Sequence, residues 1–443
     1  MSMREHTKFI YHGYTIEENG FEYHFSMDEY EFRPRWTFAL PVKDNHKEDE
    51  LLHKLVFSLG MVELVSYWKS ACPAFVEVKC GSLDDWQINW WKKLYKNGLG
   101  EFFYVNNIAP DDDFMTITTP NAHQNDTLPS NRLHCGGLNG CLIPVGGGKD
   151  SIVTLELLKS RNEPDCENAH DCCYIVGDIK RAYDSAKTAG YPDSRIITVE
   201  RTIDPTLLQL NKKGYLNGHT PFSAVIAFSS LLFAYLTGKE YVVLSNESSA
   251  NEGNVGGADI NHQYSKSTEF ERDFREYVGK MGRGLPNYFS LLRPWNELQI
   301  TRKFTQFPQY FPVFQSCNAG TKSNTWCCKC AKCLYVYIML ATFLDDNALI
   351  SIFGENLLNN QELAALLAAL IDPQQDKPFE CVGTRDEVNC ALFAAIKRRE
   401  PDLPILLRRF KGGTIPSCSD LMGFFDSDNF VPDKFLKIFS KNF

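Results

Sequence analysis

The sequence has no apolar run of the roughly 20 residues needed to cross a bilayer. Its two most apolar stretches are 224–236, interrupted by Ser229 and Ser230, and 334–344, which makes about three turns of helix. Both read as buried core helices. A basic excess is also missing: 46 Lys and Arg stand against 55 Asp and Glu, a net charge of −9. That balance argues against a duplex-binding protein, which usually carries clustered positive charge. Residues 1–9 are polar and charged, without the apolar segment of a signal peptide. The expectation is therefore a cytoplasmic chain whose 15 cysteines are mostly reduced. Internal repeats and low-complexity tracts are absent as well, which removes solenoids from consideration.

What remains is a globular composition, 44% hydrophobic over 443 residues, enough for a large core and for two or three domains. Apolar and polar residues alternate over 9–16, 21–25 and 36–40, predicting strands with one buried face. Helices are predicted over 49–70 and 84–96. The polar, proline-containing segment 106–135 reads as a linker. From residue 140 the rhythm becomes strand, loop, helix. Strands are predicted at 141–145, 173–176, 195–199 and 241–244, the last closing the series. Helices are predicted at 151–159, 179–189 and 221–236, the last with Thr220 as N-cap and Pro221 at its first position. Such alternation predicts a parallel sheet covered on both faces. Beyond Cys333 the pattern is helical, including 362–371 and a capping box from Thr384 to Glu387. The expected organisation is an α+β domain over 1–135, an α/β domain over 136–333 and a helical region over 334–443.

The most informative stretch is Pro144-Val-Gly-Gly-Gly-Lys-Asp-Ser151. Gly146, Gly147 and Gly148 follow a buried strand and allow close backbone approach and positive φ. Asp150 and Ser151 open the next helix, whose free N–H groups and dipole suit an anion. Lys149 adds a mobile cation. The spacing is not that of a Walker A loop, and no G-x-G-x-x-G with a following acidic residue is present. The alternative is a plain glycine turn. A second polar segment, Ser245 to Asn254, leaves the carboxyl end of a predicted parallel strand, where open α/β sheets bind ligands. It holds Asn246, Glu247, Asn251, Glu252 and Asn254, and His262 and Lys266 follow closely.

Cys317, Cys327, Cys330 and Cys333 form a third group. Four thiolates at these spacings suit a closed, structural tetrahedral zinc site. Cys328 is a competing ligand, and an iron–sulfur cluster or no metal are the alternatives. Other cysteines, Cys72, Cys80 and Cys390 among them, are expected to pack as small hydrophobes.

The glycine loop resembles the pyrophosphate loop of the ATP-pyrophosphatase (PP-loop) superfamily, with Gly146 in place of the first serine. The loop, the segment from Ser245 to Asn254, the run Asn261-His-Gln-Tyr-Ser-Lys-Ser267, the C-x-x-C-x-K-C cluster and the stretch from Lys377 to Thr384 together resemble one branch: the UDP-N-acetylmuramoyl-L-alanyl-L-glutamate epimerase family. The matching motifs run from about 144 to 384, with none in the first 130 residues. The resemblance implies a PP-loop α/β fold with ATP and Mg2+ as cofactors. It also implies a UDP-muramoyl dipeptide as a small-molecule substrate, with no nucleic-acid or membrane partner. The implied reaction is inversion of the terminal L-Glu through an acyl-adenylate, with release of AMP and pyrophosphate.

Candidate catalytic residues are Lys149, Asp150, Glu247 and His219, with Glu252, His262 and Cys381 also in segments able to supply a base. Asn246, Asn251, Asn254, His262, Lys266, Arg293 and Cys381 are candidates for the substrate. The rival readings are an AMP-forming amide ligase, a base-modifying enzyme of the deazaguanine type, and a nucleic-acid-binding zinc module with a degenerate loop.

Overall fold

The computed structural model describes residues 6–40, 42, 48–120, 138–160, 170–255, 260–320, 323–410 and 418–440. Its backbone is one mixed sheet. The strands are β1 (Lys8–Glu17), β2 (Gly20–Met27), β3 (Tyr30–Phe32), β4 (Arg35–Phe38), β5 (Phe75–Val78), β6 (Thr116–Thr118), β7 (Cys141–Pro144), β8 (Cys172–Val176), β9 (Ile196–Thr202), β10 (Tyr241–Leu244) and β11 (Asn287–Ser290). Their order is β11-β10-β7-β8-β9-β4-β2-β1-β5-β6, with β3 beside β2. The run from β11 to β9 is parallel, whereas β4 joins β9 antiparallel, Phe38 opposite Val199. The N-terminal strands therefore extend the same sheet. The boundary expected at 135/136 lies outside the described residues, and the one at 333/334 falls inside a helix.

The helices are α1 (Glu50–Trp68), α2 (Asp85–Gly98), α3 (Gly100–Val105), α4 (Lys149–Lys159), α5 (Lys180–Thr188), α6 (Pro205–Lys212), α7 (Phe222–Leu236), α8 (Thr268–Met281), α9 (Glu297–Phe304), α10 (Ala331–Ala341), α11 (Asp346–Phe353), α12 (Ala364–Ile371), α13 (Arg385–Arg399), α14 (Ile405–Arg409), α15 (Cys418–Gly423) and α16 (Asp433–Ser440). Side chains alternate across a strand, so the parallel strands feed two cores. Leu142, Tyr174, Val242 and Tyr288 join one, under α1, α2, α7 and α8. Ile143, Ile175, Val243 and Phe289 join the other, with α4, α9, α10 and α13. The two apolar runs in the sequence become α7 and α10, and every residue of α10 is buried. Among the described residues, no helix is long and apolar enough to cross a membrane.

The seam between the antiparallel and parallel strands carries a buried ion pair. Glu63 of α1 is fully buried and takes Arg201 of β9 in a two-pronged contact, Nε to Oε1 at 2.5 Å and Nη2 to Oε2 at 2.7 Å. Trp36 Nε1 of β4 donates to the same carboxylate at 2.8 Å. Removing one partner strands a buried charge, which typically costs about 3–5 kcal/mol. Arg201→Met should therefore lower the unfolding midpoint strongly, and Arg201→Met/Glu63→Leu should recover much of the loss. An unshifted midpoint in the single variant would contradict this account.

Three expectations need correction. The parallel series does not close at β10, because β11 pairs with it, Tyr241 opposite Asn287. α7 starts at Phe222 with Pro221 as its cap residue, and the Thr220 hydroxyl accepts from Lys69 Nζ at 2.6 Å instead of capping the helix. Cys390 is not an isolated hydrophobe: it is bonded to Cys418, tying α13 to α15, while 11 other described cysteines are free. The capping box at Thr384 and Glu387 is present at the head of α13 as predicted.

Candidate active site

The chain runs from β7 to β8 and β9 on one side, then crosses back to place β10 on the other side of β7. Ligands of open α/β sheets bind at such a switch point, outside the carboxyl ends of the strands. A cleft of about 270 Å³ opens there, walled by Pro144 and Leu244 at the two strand ends. Gly146, Gly148, Asp150, Ser151, Asn246, Glu247, Lys266 and Cys381 also line it.

The glycine loop is built for close approach. Gly147 has φ +82°, and a Cβ there would lie 2.7 Å from the Ala182 backbone nitrogen, so a side chain at this position is excluded on both counts. Gly146 has open space where a Cβ would be, facing the cleft. Gly148 is the N-cap of α4, so the helix begins at Lys149, just before the expected start at Asp150 and Ser151, and presents its first free N–H groups at the loop. Ser151 Oγ donates to the Gly148 carbonyl at 2.9 Å.

Lys149 is not the mobile cation expected. It sits at the first position of α4, 1% exposed, paired with Asp150 and with Glu297 of α9. Burial disfavours its charge, but the two carboxylates outweigh that and hold its pKa above the usual lysine value. Burial works against the Asp150 charge too, yet Lys149, Lys332 and Lys266 keep its carboxyl below the ordinary range. Glu297 lacks that surplus of cations, and burial pushes it up to about 7. Glu247 is likewise raised, mainly by burial. Carboxylate oxygens of Asp150, Glu247 and Glu297 lie within 4.8 Å of one another. Glu387 ties this cluster to the C-terminal helices: it accepts from Ser249 Oγ at 2.6 Å and from the Glu297 N–H at 2.7 Å while closing its own capping box.

The far wall of the cleft carries a thiol among cations. Lys266 Nζ donates to Cys381 Sγ at 3.3 Å, and Lys332 Nζ donates to the Cys381 carbonyl. His262 acts electrostatically on the same thiol and hydrogen-bonds Glu101 through Nδ1. Burial would raise the thiol, but Lys266, His262 and Lys332 overcome it and bring Cys381 down to about 5. Burial lowers His262, yet Cys381 and Glu101 carry it up to about 9. His219 stands 3.3 Å from Glu101, and burial with the neighbouring His262 lowers it to about 4.

Several candidates serve the scaffold rather than the cleft wall. Asn251 pairs both ends of its amide with Thr268 at the head of α8. Asn254 donates to the Pro378 carbonyl at 2.9 Å and accepts from the His262 N–H at 2.8 Å. Glu252 pairs with Lys377 at 2.6 Å. Arg293 is fully buried, donating to the carbonyls of Glu247 and Lys266 and pairing with Glu271 at 3.1 Å. It thereby fixes the backbone of two cleft residues. His219 packs against His262, ring centroids 4.4 Å apart, and neither is among the residues lining the cleft. Sequence reasoning missed Glu101, Glu297, Gln315, Ser316, Lys332 and Glu380. Lys332 and Glu380 had a signal, the first as a cation inside the cysteine motif and the second within the stretch from Lys377 to Thr384.

The four predicted cysteines come together, with their sulfurs within 4.8 Å of one another. Cys317 and Cys330 sulfurs are 4.0 Å apart, Cys327 and Cys333 3.7 Å, Cys330 and Cys333 3.5 Å. A tetrahedron with bonds of about 2.3 Å has edges of about 3.8 Å, so the four thiols can hold a metal ion. The Gly320 N–H donates to Cys317 Sγ at 3.2 Å, a contact suited to a thiolate. Cys328 is not a competing ligand, since φ +56° turns it away and its Sγ points to the Phe353 carbonyl at 3.3 Å.

Comparison with known proteins bears on the whole chain. Residues 1–291 match the MurL N-terminal domain and residues 313–411 the MurL C-terminal domain. The match includes the first 130 residues, where no motif was legible. The chain is 32% identical over 360 residues to the UDP-N-acetyl-alpha-D-muramoyl-L-alanyl-L-glutamate epimerase of Xanthomonas oryzae pv. oryzae (strain MAFF 311018), covering 80% of this chain and 76% of that protein. It is 31% identical over 403 residues to the protein of the same name from Micromonospora sp. (strain ATCC 39149 / NRRL 15099 / SCC 1413), covering 88% and 87%. No solved structure matches.

Proposed function

The chain belongs to the MurL family of UDP-N-acetylmuramoyl-L-alanyl-L-glutamate epimerases, and on that premise we propose that it inverts the terminal glutamate of UDP-MurNAc-L-Ala-L-Glu through an ATP-derived acyl-adenylate. The observation that carries the ATP step is the glycine loop at the N-terminus of α4, open on the cleft at the switch point. Backbone N–H groups there suit the pyrophosphate, and Lys266 and Lys332 reach the same cleft from other elements. On this reading the nucleotide is split between its α- and β-phosphates, in a PP-loop fold. Residues 136–333 supply the nucleotide chemistry. The flanking regions contribute as well: Cys381 completes the wall, and Glu101 holds His262.

The need for ATP is chemical. Removing the Cα proton beside a free carboxylate would create a dianion. Attack of that carboxylate on the α-phosphate, with pyrophosphate leaving, gives a mixed anhydride with AMP, which removes the charge on the carboxyl group and lets the carbonyl draw electron density from Cα. After the proton returns on the other face, water releases AMP. The Asp150, Glu247 and Glu297 oxygens, clustered within 4.8 Å of one another, would hold a magnesium ion carried in with the triphosphate. The four-cysteine cluster is read as zinc, closed by four protein ligands and hence structural.

In deuterated water the product glutamate should carry deuterium at Cα only when ATP is present, with AMP and pyrophosphate formed alongside. The substrate analogue with an α-amide in place of the α-carboxylate should be inert. Exchange at full rate without ATP would end the acyl-adenylate scheme.

A further inference from the structure

Inversion needs a base in the cleft, close to the carboxylate that faces the glycine loop. Four lining groups carry the needed chemistry: Asp150, Glu247, Glu380 and Cys381. Asp150 is engaged by buried Lys149. Glu247 lies within the carboxylate cluster with Asp150 and Glu297, and Glu380 accepts from Asn318 at 3.3 Å. Cys381 differs, being partly exposed to the cleft and contacted by one ammonium at 3.3 Å, with the imidazole of His262, held by Glu101, adding to the field on it.

We propose that Cys381 is the base that removes the Cα proton of the activated glutamyl residue, with His262 and Glu101 as the residues that position it. The inference rests on the acyl-adenylate reading for its substrate. In the step, the Cα–H bond breaks and an S–H bond forms on Cys381. The electron pair moves onto the acyl oxygen, giving an enolate that faces Lys266 and Lys332. A donor in exchange with solvent then delivers a proton to the opposite face, and the Cys381 thiol returns its proton to solvent. The arrangement spares the cleft a new charge: a thiolate beside two cations is exchanged for an enolate beside the same cations.

The groups facing the thiol are Lys266, His262, Lys332 and Glu380, with Glu101 behind His262. An imidazolium stabilises a thiolate, so its removal raises the thiol pKa. The acid limb of the exchange rate, which climbs as pH rises through the thiol pKa, should then move to higher pH in His262→Gln. A structural role for His262 would lower the rate without moving that limb.

The decisive measurement is Cα deuterium exchange and AMP release in parallel, using the L,L-dipeptide substrate and ATP. Cys381→Ser should lose exchange by at least about 100-fold, the usual worth of a positioned base, while still forming AMP. Exchange at the wild-type rate in Cys381→Ser would overturn the assignment. So would loss of AMP release together with exchange in a folded variant, which would move Cys381 into adenylation. If wild-type exchange proves independent of ATP, the acyl-adenylate reading falls, while loss of exchange in Cys381→Ser still identifies the base. Should the variant fail to fold, the wild-type protein decides. Iodoacetamide at neutral pH should label Cys381 ahead of the other thiols and stop exchange, and a labelled enzyme that exchanges normally would overturn the proposal.

Discussion

Lys149→Met should abolish ATP cleavage, lowering AMP formation by about 100- to 1,000-fold, the usual effect of removing one preorganised electrostatic partner. The ammonium is the only cation in direct contact with both Asp150 and Glu297 among the described residues. Without it the two carboxylates face each other and Glu247 inside a 4.8 Å cluster, beside the loop that is to receive a polyanion. The same change leaves Glu297, 2% exposed, with no ion-pair partner, at a typical cost of about 3–5 kcal/mol. Adding Glu297→Gln removes the stranded charge, so Lys149→Met/Glu297→Gln should regain stability without regaining AMP formation. That split separates the electrostatic role from the structural one. Wild-type AMP release in folded Lys149→Met would take the loop region out of the mechanism.

The same pair shows what a sequence can and cannot convey about a site. Gly146, Gly147, Gly148, Asp150 and Ser151 are adjacent, so their function is written in consecutive letters. Lys149 belongs to the motif too, yet its partner Glu297 comes from α9 and has no local signature, so a buried ion pair read as a mobile cation. Glu101 is harder still: it stands 161 positions from His262 in the chain, and only the fold brings the two side chains together. Asn251, Asn254 and Arg293 show the converse, all three being engaged in hydrogen bonds of the scaffold. Buried polar groups must find hydrogen bonds, and a loop that ties itself down uses the same residue types as a loop that holds a ligand. Composition cannot tell these apart.

The fold was legible for similar reasons and failed for similar ones. Strands β7, β8 and β10 are short apolar runs flanked by turns, a signal carried within each segment. β11 is equally short, but polar α8 precedes it and no glycine loop follows, so nothing local marks Asn287–Ser290 as sheet. That β4 would pair with β9 is a tertiary fact, fixed by the buried contacts of Glu63 with Trp36 and Arg201.

Cys330→Ser should lose the metal, expected at about one zinc per chain, together with thermal stability and much of the activity. Cys330 is both a ligand and the N-cap of α10, whose Cys333 N–H it accepts at 3.4 Å. α10 is buried along its whole length in the second core, so freeing its first turn exposes apolar surface as well as opening the site. Structural zinc supplies on the order of 10 kcal/mol to small peptides that have no other core, and a chain with two large cores should lose a part of that. The link to activity is Lys332, which lies between two of the ligands and reaches from α10 to the Cys381 carbonyl at the cleft wall. A zinc ion there would act at a distance, by fixing where that lysine stands. Cys328→Ser is the control: its sulfur points to Phe353, so the variant should keep its metal, its melting point and its turnover. Metal analysis and thermal unfolding of the two variants side by side read out the difference. A metal-free wild-type protein of full stability would refute the zinc reading, and zinc loss in Cys328→Ser would reassign the ligands.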